Sequence, residues 1–356
     1  MSWFTDIFFG FISLYLALVN TVAQPLFNLS NTEEYEVDYL AKLDSAYENK
    51  SVIPDILIKN SSYQKAALFE GFTPNTAITN DPREALVNII CTQITDKYKR
   101  TTTGTGFFIH PSGVILTNAH VAQLLLLENS KEVGDLNCII RTGNPASPMY
   151  EASLLYIPPS WILAHANQIT ADKPSGTGER DYALLYVTAG LDNKPMPQVF
   201  PAIGVETDPL TYNQVNAKVR VSGYPAAAFF TEGPSVELTP KIASSAISDI
   251  YTFGNNTADI FSIRGTEIGQ QGSSGGPIVN ETGHVIGLIS TKGDDSTDGV
   301  GSLRALTMDY INRTIREETG YSFEQSINGN LPYRAQIFKD TLFPFLSKLL
   351  EFEMTE

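Results

Sequence analysis

Residues 269 to 288 read GQQGSSGGPIVNETGHVIGL, two adjacent serines set among glycines. Glycine costs conformational entropy in a regular element, so Gly272, Gly275 and Gly276 around Ser273 and Ser274 mark a sharp turn or a close approach. A serine hydroxyl becomes a nucleophile when a base takes its proton and a third group orients that base. Four histidines are available as the base. His110 and His284 sit beside hairpin turns, and His165 falls in SWILAHANQI, which reads as a short helix inside a long loop. His120 ends GVILTNAH, where an apolar strand runs straight into the imidazole. Asp181 opens the apolar run DYALLYV, although a strand-initial aspartate can equally cap a turn. The two cysteines, Cys91 and Cys138, lack zinc-ligand spacing, so no metal or cofactor is expected.

Three stretches then align with one known pattern. GTGFFIHPSGVILTNAHV resembles the segment bearing the active histidine in trypsin-like serine proteases, most closely those of the bacterial HtrA type. GERDYALLYV is similar to that family's D-x-A-L-L element, and GSSGGP to its G-x-S-G-G-P. They follow the family's chain order of His, Asp and Ser. The resemblance covers about residues 86 to 310. It implies that His120 is the base, Asp181 orients it, and Ser274, not Ser273, is the nucleophile. It further implies an oxyanion hole from the backbone N–H groups of Gly272 and Ser274. Ile268 would floor the pocket for the side chain before the cut, disfavouring basic residues and favouring small or medium apolar ones. Ser290, Thr291 and Lys292 in GLISTKG would line the cleft beside extended substrate. In this fold the strands bearing Cys91 and Cys138 are neighbours, which implies a disulfide between them. Two departures stand out. The residue before the nucleophile is Ser273, so activation through an aspartate at that position lacks its carboxylate. About 45 residues follow the second barrel, too few for the PDZ domain usual in the HtrA type.

Positioning these groups requires a scaffold of strands. From Leu86 onward, ALVNIICTQI, GTGFFIH, GVILTNA, NCIIRTG, YEASLLYI and DYALLYV are short β-rich runs separated by turn residues. AKVRVSGY, VELTPKIASSAIS, DIFSIRG, GGPIVN, HVIGLIS and SLRALTM form a second series. The expectation is an all-β fold of two packed six-stranded antiparallel β-barrels, chymotrypsin-like, with helical N- and C-terminal extensions. The divisions expected are 1–27 as a membrane anchor or signal segment, 28–85 as an N-terminal extension, 86–205 and 206–312 as the barrels, and 313–356 as a helical tail. LDNKPMPQVFPAIGVETDP would link the barrels, the insertion at 160 to 176 would lengthen the gap between His120 and Asp181, and Pro344 would split the last helix.

The whole-chain properties narrow the function. Acidic residues number 39 against 24 basic ones, a formal charge of −15, which argues against nucleic acid as a partner. Residues 7 to 23, IFFGFISLYLALVNTVA, are long enough for a short membrane span. A cleaved signal ending at Ala23 and a buried helix remain alternatives to the expected anchor. Export would place the catalytic region outside the cytoplasm, at a periplasmic or cell-surface location, acting on protein or peptide substrates. The rival readings are a catalytically silent relative that binds extended peptide, and an esterase.

Overall fold

A computed structural model describes residues 55–66, 78–128, 130–171, 176–233, 236–254 and 256–355. The apolar segment 7–23 and DYLAKLDSAY lie outside these residues, as does the second half of SYQKAALFEGF. The strands are β1 Leu86–Ile94, β2 Lys99–His110, β3 Val114–Thr117, β4 Asp135–Thr142, β5 Ser147–Tyr156 and β6 Ala183–Gly190. They close in the order β1-β2-β3-β6-β5-β4. The second set is β7 Lys218–Gly223, β8 Lys241–Tyr251, β9 Ile260–Ile263, β10 Pro277–Val279, β11 Val285–Lys292 and β12 Leu303–Thr307. These close as β10-β11-β12-β9-β8-β7, giving two six-stranded antiparallel barrels. Full closure leaves no unpaired strand edge in either barrel.

Two sets of inward side chains account for this. Val87, Ile89, Phe108, Ile115, Leu154 and Leu185 are among those packed inside the first barrel, and that cluster continues into the C-terminal helices through Ile311, Phe338 and Leu346. Val221, Ile247, Phe261, Ile278 and Ile289 belong to the separate core of the second. In the first barrel Cys91 on β1 faces Cys138 on β4 in the strand register, and a disulfide joins them. One strand differs from the sequence reading. VELTP stays outside β8, which begins at Lys241, because Pro240 has no N–H to give to a ladder.

The connections also follow the chain's chemistry. SWILAHANQI forms a helix Pro159–His165 continued by a 3-10 turn Ala166–Gln168. The inter-barrel segment is stitched to both sides: Ile203 N–H donates to Phe108, and Glu206 N–H to Val285. After β12, Thr307 caps the helix Met308–Thr319 by accepting from Tyr310 N–H at 3.0 Å. The last apolar stretch divides into helices Leu331–Thr341 and Phe343–Thr355, with the break just before Pro344. Among the described residues no helix is long and apolar enough to cross a membrane.

Candidate active site

β3 is buried throughout and delivers the chain into a one-turn helix, Ala119–Ala122, that carries His120. The strand–helix junction is tied to the segment before β6, where Asn118 Nδ2 donates to the Asp181 carbonyl at 2.7 Å. Asp181 answers with its side chain. Its Oδ1 accepts the His120 backbone N–H at 3.0 Å and its Oδ2 lies 2.7 Å from His120 Nδ1. Ser290 Oγ, from β11 of the other barrel, donates to the same Oδ2 at 2.7 Å. With Nδ1 held by the carboxylate, Nε2 is the free basic nitrogen of the neutral ring.

The electrostatics follow from enclosure and charge. Burial opposes protonation of His120, but the charge and hydrogen bond of Asp181 outweigh it, and the imidazole pKa is raised. Burial likewise works against the Asp181 carboxylate, only 3% exposed. His120, followed by the Ser290 hydroxyl, overcomes that cost and holds the carboxyl below its ordinary value. The pair therefore stabilises the His⁺–Asp⁻ state, with the carboxylate nearly enclosed and the imidazole half-buried.

The two serines of GSSGGP have different surroundings. Ser273 is fully buried and donates its hydroxyl to the Ile268 carbonyl at 2.6 Å. Ser274 is half-buried, and its hydroxyl makes no hydrogen bond to the His120 ring or to any other described residue. The loop is set by its glycines. Gly272 and Gly275 have φ of 91° and 84°, the left-handed region that side-chain-bearing residues rarely enter. A Cβ on Gly275 would lie 2.0 Å from the Thr105 carbonyl oxygen, and one on Gly276 2.3 Å from that of Ser222.

Peptide planarity then fixes two amides. The Gln271 carbonyl accepts from Ala226 N–H, and the Ser273 carbonyl from Gly276 N–H. The Gly272 and Ser274 N–H groups, trans to those carbonyls, therefore point away from these bonds. Neither donates to any described residue.

Thr105 on β2 ties this loop to the first barrel. Its N–H donates to the Ser274 carbonyl at 2.8 Å and its hydroxyl to the Gly272 carbonyl at 2.7 Å, while Tyr224 N–H donates to that hydroxyl at 3.0 Å. Sequence reasoning missed both Thr105 and the Ser290–Asp181 contact. For Thr105, the signal available was its place between the two glycines of TGTGF.

The remaining candidates are placed as follows. Ile268 is fully buried within the core of the second barrel. Ser290 is buried against Asp181, Thr291 is half-buried, and Lys292 is exposed and paired with Asp295 at 2.6 Å. Among the described residues no group of His, Cys, Asp and Glu is arranged to hold a metal ion.

Comparison with known proteins gives three findings. The trypsin-like peptidase domain profile matches residues 104–288. Two curated relatives from Mycobacterium tuberculosis strains, serine protease MT3772 and serine protease Rv3671c, are each 27% identical to the chain over 249 residues. That match takes in 69% of this chain and 50% of either relative, so the chain spans about half the length of the curated relatives it matches. Among solved structures, the Rv3671c protease aligns in its inactive form with 20% identity and a TM-score of 0.40, covering 67% of this chain and 90% of that one. Its active form aligns with the same identity and TM-score, covering 71% and 94%.

Proposed function

The chain belongs to the trypsin-like peptidase family, and from that premise we propose that it is a serine endopeptidase. Ser274 Oγ attacks the scissile carbonyl as His120 Nε2 takes its proton. The same nitrogen then returns that proton to the leaving amine, and water repeats the sequence on the acyl-enzyme. Asp181 fixes the tautomer that leaves Nε2 basic, and stabilises the imidazolium. The Gly272 and Ser274 amides receive the oxyanion. The observation that carries this reading is the division of labour in the serine loop. Ser273 spends its hydroxyl on Ile268, whereas Ser274 keeps its own uncommitted beside two undonated amides.

Extended substrate backbone would run along β11 past Thr291. Lys292 is neutralised by Asp295, so it offers little draw for an acidic residue, and small or medium apolar side chains remain the preferred class before the cut. We place the catalytic region outside the cytoplasm, with residues 1–27 as anchor or signal, 28–85 as extension, barrels within 86–205 and 206–312, and 313–356 as the helical tail. The Cys91–Cys138 disulfide supports export, since such bonds persist in oxidising compartments.

The test is labelling with a fluorophosphonate, followed by identification of the modified peptide and assay against a peptide library. Ser274→Ala should remove labelling and lower peptide turnover by about a millionfold, the scale seen when a triad serine is deleted. Ser273→Ala should lose stability, by about 1–3 kcal/mol for the orphaned carbonyl, and keep its labelling. Modification at Ser273, or turnover confined to small esters, would overturn the proposal.

A further inference from the structure

The two chain neighbours of Asp181 are both fastened to one helix outside the barrels. Arg180 adopts φ of 56°, unusual for a residue with a side chain, and sends its guanidinium to the Met308–Thr319 helix. There Nη1 donates to Glu318 Oε1 at 2.7 Å and Nη2 to Glu317 Oε2 at 2.9 Å. On the other side, the fully buried Tyr182 shares a 2.9 Å hydrogen bond with the Thr314 hydroxyl. Thr314 and Glu318 are four residues apart, hence on one face of the helix, a turn from each other. Asp181 lies between the two attachments.

The acids are placed against local preference. Glu317 and Glu318 occupy the last turn of their helix, where the macrodipole favours cations. Glu318 is moreover almost wholly buried, at 2% side-chain exposure, and gathers the hydroxyls of Tyr156 and Ser160 as well as Arg180. A buried acid at the wrong end of a helix is a conflict that a sequence retains where function requires it. The helix Phe343–Thr355 packs on the 3-10 turn Gln123–Leu127, which continues directly from the helix carrying His120. The C-terminal helices thus brace both partners of the His–Asp pair.

We propose that Arg180, Thr314 and Glu318 are positioning residues, a two-point clamp through which the Met308–Thr319 helix holds the Asp181 carboxylate against His120. The clamp rests on the assignment of His120 and Asp181 given under Proposed function. It acts through geometry. The charged partner facing His120 is Asp181, and the charged partner facing Asp181 is His120, with the Ser290 hydroxyl donating to the same carboxylate. Glu318 is faced by Arg180, Ser160, Tyr156 and Glu317, which leaves it no direct line to the imidazole.

The experiment compares full-length Glu318→Gln, Thr314→Val and Arg180→Gly with the parent. It measures kcat per fluorophosphonate-titrated site, KM, and the midpoint of the acid limb of the pH–rate profile. Displacing Asp181 should lower kcat about ten- to a hundred-fold, the scale of an ångström-level misplacement, with KM changed by less than about twofold. The acid-limb midpoint should move to lower pH as Asp181 supports the imidazolium less. Arg180→Gly permits the same backbone conformation, so its loss isolates the ion pair. Thr314→Val decides the matter if Glu318→Gln does not fold. Unchanged kcat per site with an unmoved midpoint would overturn the clamp, as would a loss that vanishes on normalising to titrated sites. A parent chain that does not label at Ser274 sinks the function and the clamp together; a labelled parent with unaltered variants sinks the clamp alone.

Discussion

His120 owes its raised basicity to a carboxylate that is itself nearly sealed from water. The sign of the pH dependence follows. The proposed mechanism needs a neutral Nε2, so the rate should rise with pH through the His120 titration, with a midpoint above the ordinary value of ~6.5. Asp181→Asn keeps the shape and removes the charge, leaving burial to act alone, and the midpoint should fall below that value. Turnover should fall about ten-thousandfold, as when a comparable triad aspartate is neutralised. A single-turnover pH profile of both proteins checks this, and a midpoint unmoved by the substitution would refute Asp181 as the source of the shift. At this scale the sequence was readable where the pattern is local: TNAH and GSSGGP each place their residue within a few positions. Ser290 acts on an aspartate 109 positions away, and Thr105 on a glycine 167 positions away. A lone hydroxyl in a strand carries no mark of a partner so distant. Only the closed barrels bring these together.

Among the elements, β1 and β4 were legible as short apolar runs, and their pairing came from the fold that the motifs implied. Their registered cysteines span 47 positions, a loop that includes β2, β3 and His120. Chain-entropy estimates put such a crosslink at about 4 kcal/mol. Cys91→Ala with Cys138→Ala should therefore lower the free energy of unfolding by about that amount, as measured by urea denaturation against the oxidised parent. A difference under about 1 kcal/mol would show that the bridge adds little beyond what the strand ladder already provides. Elements were less legible where a proline or a burial constraint decided the outcome. Pro240 cut back a strand that the β-rich texture of VELTP had extended, and Ile268 is fully buried in the core of the second barrel. Position relative to a motif does not reveal which way a side chain faces. The acids of the Met308–Thr319 helix were unread for a related reason, since their partner lies on a loop more than a hundred positions earlier.

For the whole molecule, each barrel closes on itself, and no strand ladder runs between them among the described residues. Beside the apolar cluster that runs from the first barrel into Val285, Leu288 and Leu306 of the second, their polar contacts near the site are individual bonds, those of Thr105 to Ser274, Gly272 and Tyr224, and that of Ser290 to Asp181. Bonds made singly lack the cooperative backing of a ladder and should open at lower cost than the barrels themselves. Fluorophosphonate labelling should then decay at a lower urea concentration than the far-ultraviolet circular dichroism signal. Coincident transitions would mean that the barrels separate only as they unfold. The whole-chain reading was strongest in this architecture, because twelve short β-rich runs leave few closed arrangements, and weakest at the N-terminus, which lies outside the described residues. The Thr105 hydroxyl gives the arrangement a further meaning. One side chain of the first barrel grips the backbone on which the proposed nucleophile of the second is mounted, which amounts to a built-in interlock. On the proposed mechanism the serine would be armed only while the halves are seated, and a chain caught half-assembled would carry its blade undrawn.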